Sequence, residues 1–231
     1  MTRSFIAQIA LAGGLLGWAC AAQAAPVYIG LQEAGTNGGA ITNETNGNGT
    51  ATFTGSYGSF SNVGVSALGT PPNPEPDLFS NSLTASSSTA GVLTVYVTEL
   101  NQFPNAGQQF ISSFTSNLLL GSITQVVEST YVHECAVPNS ACLVPGDLFQ
   151  ESTLLGTATF TGLGTQVVTS APFTFGTVPY AVTEVYTITA TGTGSANDTI
   201  DITVPEPASL ALIGTGLIAF GVARRRRRKI A

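Results

Sequence analysis

Three patterns of apolar and polar residues follow one another along the chain. Met1 to Ala24 opens with Arg3, runs apolar from Phe5 to Ala19 and closes on Ala22-Gln23-Ala24. From Pro26 to Val204, short runs rich in Val, Thr and aromatic residues are separated by Gly, Pro, Asn and Ser clusters. No part of this stretch carries apolar residues at helical spacing. Ala208 to Ala223 is apolar and uncharged, lying between Pro205-Glu206-Pro207 and the basic run Arg224 to Lys229. The middle pattern predicts strands, because Thr and Val pack well on a pleated surface. The clearest are Leu93–Leu100, Ile123–Val132, Tyr180–Ala190 and Ile200–Val204. Weaker candidates are Val27–Leu31, Thr50–Thr54, Val63–Leu68, Gln109–Phe114, Thr157–Thr161 and Gln166–Thr169. About ten such strands predict an all-β antiparallel β-sandwich, the jelly roll being one form of it. Asn37 to Gly49, rich in Gly, Asn and Thr, is expected to be a long hairpin tip or mobile loop.

The first pattern reads as a secretory signal peptide, with Ala22 and Ala24 flanking the cleavage point. Cys20 lacks the leucine three positions earlier that lipidation would call for. The last pattern reads as a short membrane helix. Ala208 to Ala223 would reach about 24 Å, slightly less than the usual span, and flanking arginines can snorkel. The basic cluster should stay in the cytoplasm, which puts everything upstream across the membrane. Pro205 and Pro207 give the helix a hard start, and Gly214, Gly216 and Gly221 each weaken it by about 1 kcal/mol. A permanent anchor gains nothing from that weakness, whereas a helix that a protease must unwind does.

Val204-Pro205-Glu206-Pro207-Ala208, a short Gly-containing apolar stretch and a terminal Arg run together resemble the PEP-CTERM sorting signal of Gram-negative bacteria. The resemblance implies recognition at Pro205, Glu206 and Pro207 by an exosortase, an integral-membrane cysteine protease. It implies cytoplasmic retention by Arg224, Arg225, Arg226, Arg227 and Arg228, and transient residence of residues 208–223 in the inner membrane. Delivery to the cell surface or extracellular matrix would follow. It implies nothing about the residues upstream. Pro74-Glu75-Pro76 repeats the triplet, but no apolar stretch or Arg run follows it, so a surface loop is expected there. The chain thus divides into a signal peptide at 1–24, a sandwich at 25–204 and a sorting signal at 205–231.

Charge narrows the partners. No Lys or Arg lies between Ser4 and Ala223, while all 13 acidic residues do. A body trimmed at both ends is strongly acidic, with His133 alone to offset it. Nucleic acid is excluded as a partner, since phosphate binding needs cations. Anionic polysaccharide could be reached only through bridging Ca²⁺.

Candidate chemistry is sparse. Cys135 and Cys142 are the only cysteines downstream of the signal peptide, and in an exported protein they are expected to form a disulfide. His133 with Cys135 and Cys142 could be drawn as a metal site, but it lacks a clear fourth ligand and the bridge would remove the thiols. The same bridge would remove a Cys–His nucleophile. A Ser–His–Asp centre would have to use His133, and no Gly-x-Ser-x-Gly elbow supplies the serine. A glycosidase-like carboxylate pair has no favoured members. Asp198 with Asp201, or Glu75 with Asp77, offers oxygens for calcium, but without an Asp-x-Asp-x-Asp-Gly loop they read better as solvated loop acids. Neither a cofactor nor a metal is expected, and neither is enzyme activity.

The expected function is that of an exported noncatalytic surface or matrix protein, associated with exopolysaccharide or biofilm. Its partners would be the general secretion machinery and an exosortase. The alternative is a lectin-like carbohydrate- or calcium-binding module, suggested by aromatic residues near expected loops: Tyr57, Phe60, Phe103 and Tyr180.

Overall fold

The computed structural model describes residues 24–69, 77–103, 107–136, 141–174, 176 and 179–205. Ten strands follow in order: β1 (Pro26–Glu33), β2 (Thr42–Asn48), β3 (Thr50–Tyr57), β4 (Phe60–Leu68), β5 (Leu78–Ser87), β6 (Ala90–Gln102), β7 (Ile111–Glu134), β8 (Thr153–Phe160), β9 (Gly164–Thr169) and β10 (Tyr180–Thr203). All pairings are antiparallel, and the strands join into one hydrogen-bonded sheet.

That sheet is folded across its middle into a sandwich. β10 and β7, each 24 residues long, pair along their whole length and run through the fold line. Residues 180–191 of β10 pair with β6, and residues 194–202 pair with β5. β8 and β9 divide β7 in the same way. One layer is therefore β2-β1-β6-β10-β7-β8 and the other is β3-β4-β5-β10-β7-β9. Glycines permit the bend. Gly121 takes φ +65°, and a Cβ on Gly194 would lie 2.5 Å from the Leu120 carbonyl oxygen. No residue larger than glycine fits where two backbones pass this close.

Alternation decides what faces inward. Val27, Ile29 and Leu31 of β1, with Leu93, Val95 and Val97 of β6, meet Val63, Val65 and Ala67 of β4 in a single core. Each large side chain buried there contributes roughly 1.5–3 kcal/mol. Polar links cross the same interior. Ser112 and Thr130, in opposite halves of β7, are 2.7 Å apart between hydroxyl oxygens. The Tyr186 hydroxyl contacts Ser80 Oγ and accepts the Ile200 N–H at 2.9 Å, beside the register shift between Asp198 and Ile200.

Three expectations are corrected. Asn37–Gly49 is not a long loop: Asn37–Gly39 is a 3₁₀ turn and Thr42–Asn48 is edge strand β2. Backbone pairing with β1 suffices to form β2 without apolar side chains. The expected strands Gln109–Phe114 and Ile123–Val132 are parts of one strand, as are Tyr180–Ala190 and Ile200–Val204, because glycine bends rather than ends them. β5 was not expected at all. Its serines are compatible with burial, since Ser80 and Ser87 are both enclosed.

Candidate functional site

The sequence-predicted site residues fall in two places. Ala22, Glu206, Pro207 and Arg224 to Arg228 lie outside the described residues, as do the apolar run 208–223 and most of the signal peptide. Ala24 and Pro205 are described, and Pro205 is exposed two residues beyond the end of β10. Among the described residues, no helix is long and apolar enough to cross a membrane.

Cys135 and Cys142 are joined by a disulfide with Cα atoms 5.1 Å apart. The chain that follows β7 turns back over the outer face of the β6–β10 layer. There Leu148 and Phe149 cover Tyr96, Leu100, Ala181 and Val185, forming a second apolar cluster. The Phe149 and Tyr96 ring centroids are 5.7 Å apart. Gly30 of β1 lies beneath Phe149, and a Cβ there would approach the ring to 2.7 Å.

A hydrogen-bond hub fixes this cover. Asp147 accepts the N–H groups of Leu143 (2.5 Å) and Ala136 (3.1 Å). Its Oδ1 is also 3.1 Å from His133 Nε2, while His133 Nδ1 is 2.7 Å from Ser152 Oγ. Burial alone would raise the Asp147 carboxyl pKa, but the Leu143 N–H, His133 and the Ala136 N–H outweigh it and hold it below the usual carboxylate range. A serine, a histidine and an aspartate therefore do line up, without a Gly-x-Ser-x-Gly elbow. His133 is one residue from the end of β7, Asp147 sits in the turn and Ser152 leads into β8. Their links tie together the same loop that the disulfide closes.

The calcium candidates are rearranged. Asp198 is not a solvated loop acid: it lies in β10 and is fully buried. Asp201, next but one after the bulge, faces the other way and meets Asp77. Burial raises both carboxyls. The hydrogen bond between them favours charge on Asp77 and the proton on Asp201. The pair lines a cleft of about 260 Å³ with Leu68, Phe79 and Thr203. Glu75 lies outside the described residues. Of the aromatic candidates, Tyr57, Phe60 and Tyr180 belong to the core, and only Phe103 is exposed.

No curated protein matches the chain. Among solved structures it is similar to the enzymatically active domain of tailspike protein 4 of bacteriophage CBA120. That match has 9% identity and a TM-score of 0.35, and covers 68% of this chain but only 19% of the tailspike chain. It is also similar to TmCBM61, solved with β-1,4-galactotriose, at 8% identity and TM-score 0.30, covering 64% of this chain and 90% of that one. A third is the CBM36-1 domain of a multidomain xylanase from the hindgut metagenome of Trinervitermes trinervoides, at 13% identity and TM-score 0.28, covering 55% and 98%. TM-scores this low say nothing about a ligand for this chain. At the C-terminus the finding is specific. Residues 203–228 match the family model of the PEP-CTERM protein-sorting motif, so the chain carries a PEP-CTERM sorting signal there.

Proposed function

We propose that this is a noncatalytic protein of the cell surface or extracellular matrix, exported by the general secretion route and handed over by an exosortase. One observation carries the reading: the sorting motif begins at residue 203, where the central strand of the sandwich ends. The folded body and the processing signal are thus contiguous. The strongly acidic, cation-free body supports association with matrix exopolysaccharide through bridging cations rather than direct ion pairs. The Ser152–His133–Asp147 line is read as a fastening for the loop.

Intact-mass measurement on protein from the native host, with and without its exosortase, tests the delivery step. The expected result is loss of the signal peptide in both strains and loss of the chain beyond the Pro-Glu-Pro motif only when the exosortase is present. A mass that retains residues 208–231 in both strains would make the protein a permanent inner-membrane component.

The lectin-like alternative rests on the Asp77–Asp201 pair beside Phe79 in its cleft. It predicts a rise in melting temperature with Ca²⁺ or with a glycan from the host matrix, since a ligand that binds only the folded state stabilises it. No rise with either counts against it.

A further inference from the structure

Among the described residues, the interior holds carboxyl groups and no Lys or Arg. Alternation along β7 aims Glu128 inward with Val126 and Val132. Along β10 it aims Glu184 inward with Val182 and Tyr186, and Asp198 inward with Ala196. All three acids are fully buried. Neither oxygen of any of them has a hydrogen-bond partner. The Thr115 N–H bears on Glu128, Ser80 on Glu184 and Ser116 on Asp198, favouring charge, but none makes a well-formed hydrogen bond.

The titratable groups facing them make ionisation harder. Glu128 faces Asp198, Glu184 and Tyr186. Glu184 also faces Glu99 from β6 and feels the charge of Asp201, which lies on the opposite face of β10 and is bonded to Asp77. Tyr180 lies beside Glu99. Every one is an acid or a phenol. The only histidine, His133, is engaged with the loop on the outer face. Among the described residues, Cys135, Cys142 and Asp147 form the only trio of potential ligands close enough for one ion, and their sulfurs are bonded to each other.

We infer that the sandwich folds with proton uptake, carrying Glu128, Glu184 and Asp198 as neutral carboxylic acids, so that rising pH loosens it. Burial, with the charge of Asp198 next, pushes Glu128 up to about 9; burial pushes Asp198 up to about 7 and Glu184 well above its ordinary value. The sign follows from linkage. Below the ordinary carboxylate range both folded and unfolded chains are protonated, and these groups do not alter stability. Above it the unfolded chain releases protons that the folded chain keeps. Each such group then lowers the folding constant about tenfold per pH unit until its folded value is reached. Asp198 stops contributing near pH 7 and Glu128 near pH 9. Asp147, held low, acts in the opposite sense and only at strongly acidic pH. For an exported chain, and resting on the export reading above, the coupling favours folding wherever the outside is more acidic than the cytoplasm.

Urea unfolding of the protein purified from its host, disulfide intact, from pH 5 to 9 tests the inference without reference to its destination. The folding constant should fall at least tenfold per unit between pH 5 and 7 and keep falling toward pH 9. Glu128→Gln with Glu184→Gln should flatten that slope and make the variant more stable than the parent at pH 8, with little difference at pH 4.5. A variant that does not fold leaves the direct readout: refolding the parent at pH 7 in weak buffer with an indicator dye should consume protons. Stability independent of pH, no proton uptake, or stability at pH 8 that a chelator abolishes and Ca²⁺ restores would each overturn it.

Discussion

Gly194→Ala should cost about 3–5 kcal/mol of stability, enough to take the fold to the edge of unfolding. The added Cβ would lie 2.5 Å from the Leu120 carbonyl oxygen and 2.8 Å from the backbone nitrogens of Ser122 and Ile123. None of these is a flexible side chain that can swing aside. They belong to β7 at the line where the sheet folds, so relief requires opening the angle between the two layers. Opening it separates Ser112 from Thr130 and Tyr186 from Ser80, and thins the core. Gly162→Ala is the matching control. A Cβ there meets nothing within 4 Å, so that change should leave stability within about 1 kcal/mol of the parent. Urea midpoints of the two variants decide the matter. Equal midpoints would mean that the fold line tolerates a side chain and that the bend has another cause.

Replacing Cys135 and Cys142 together with serine should lower stability by about 2–3 kcal/mol, the chain-entropy value for a short loop. In a body of this size the melting temperature would fall by roughly 5–10 °C. The loss should be concentrated on one face. Leu148 and Phe149 are held against Tyr96, Ala181 and Val185 by this loop, whereas the core between the layers does not depend on it. Hydrogen exchange should therefore quicken in residues 141–150 more than in β4 or β5. Uniform quickening would instead show that the loop and the two layers unfold as one unit. The Asp147 hub, with His133 and two backbone N–H groups, is what should keep the loop from detaching altogether.

Much of the fold was legible because apolar residues recur at every second position along β1, β6 and β10. The parts that were not legible have particular causes. In β2, from Thr42 to Asn48, no apolar side chain reports a buried face, and the strand forms by backbone pairing at an edge. In β5, serines occupy inward positions, so period-two hydrophobicity is blurred. The joins within β7 and β10 were hidden because Gly121, Gly192 and Gly194 read as breaks and act as bends. The disulfide pair could be expected from cysteine number and compartment. The His133–Asp147–Ser152 line could not, since its members lie on a strand end, a turn and a strand entrance with no fixed spacing. The interior acids did leave a trace. Glu184 stands in phase with Val182, Tyr186 and Ile188 while Ala181, Thr183 and Val185 occupy the opposite face, a pattern in which both sides of the strand are covered.

The placement of β10 has a mechanical consequence. Thr203 still pairs with Ile111 and Ile202 with Leu78, and Val204 packs against the core. A pull applied through Pro205 therefore meets a strand flanked on both sides along its length. The load is carried in shear, by many hydrogen bonds at once, and cannot peel the strand from an edge one bond at a time. A sandwich tethered by this end resists extraction while it is held, and a protease working on the tether can draw on it without unravelling the cargo.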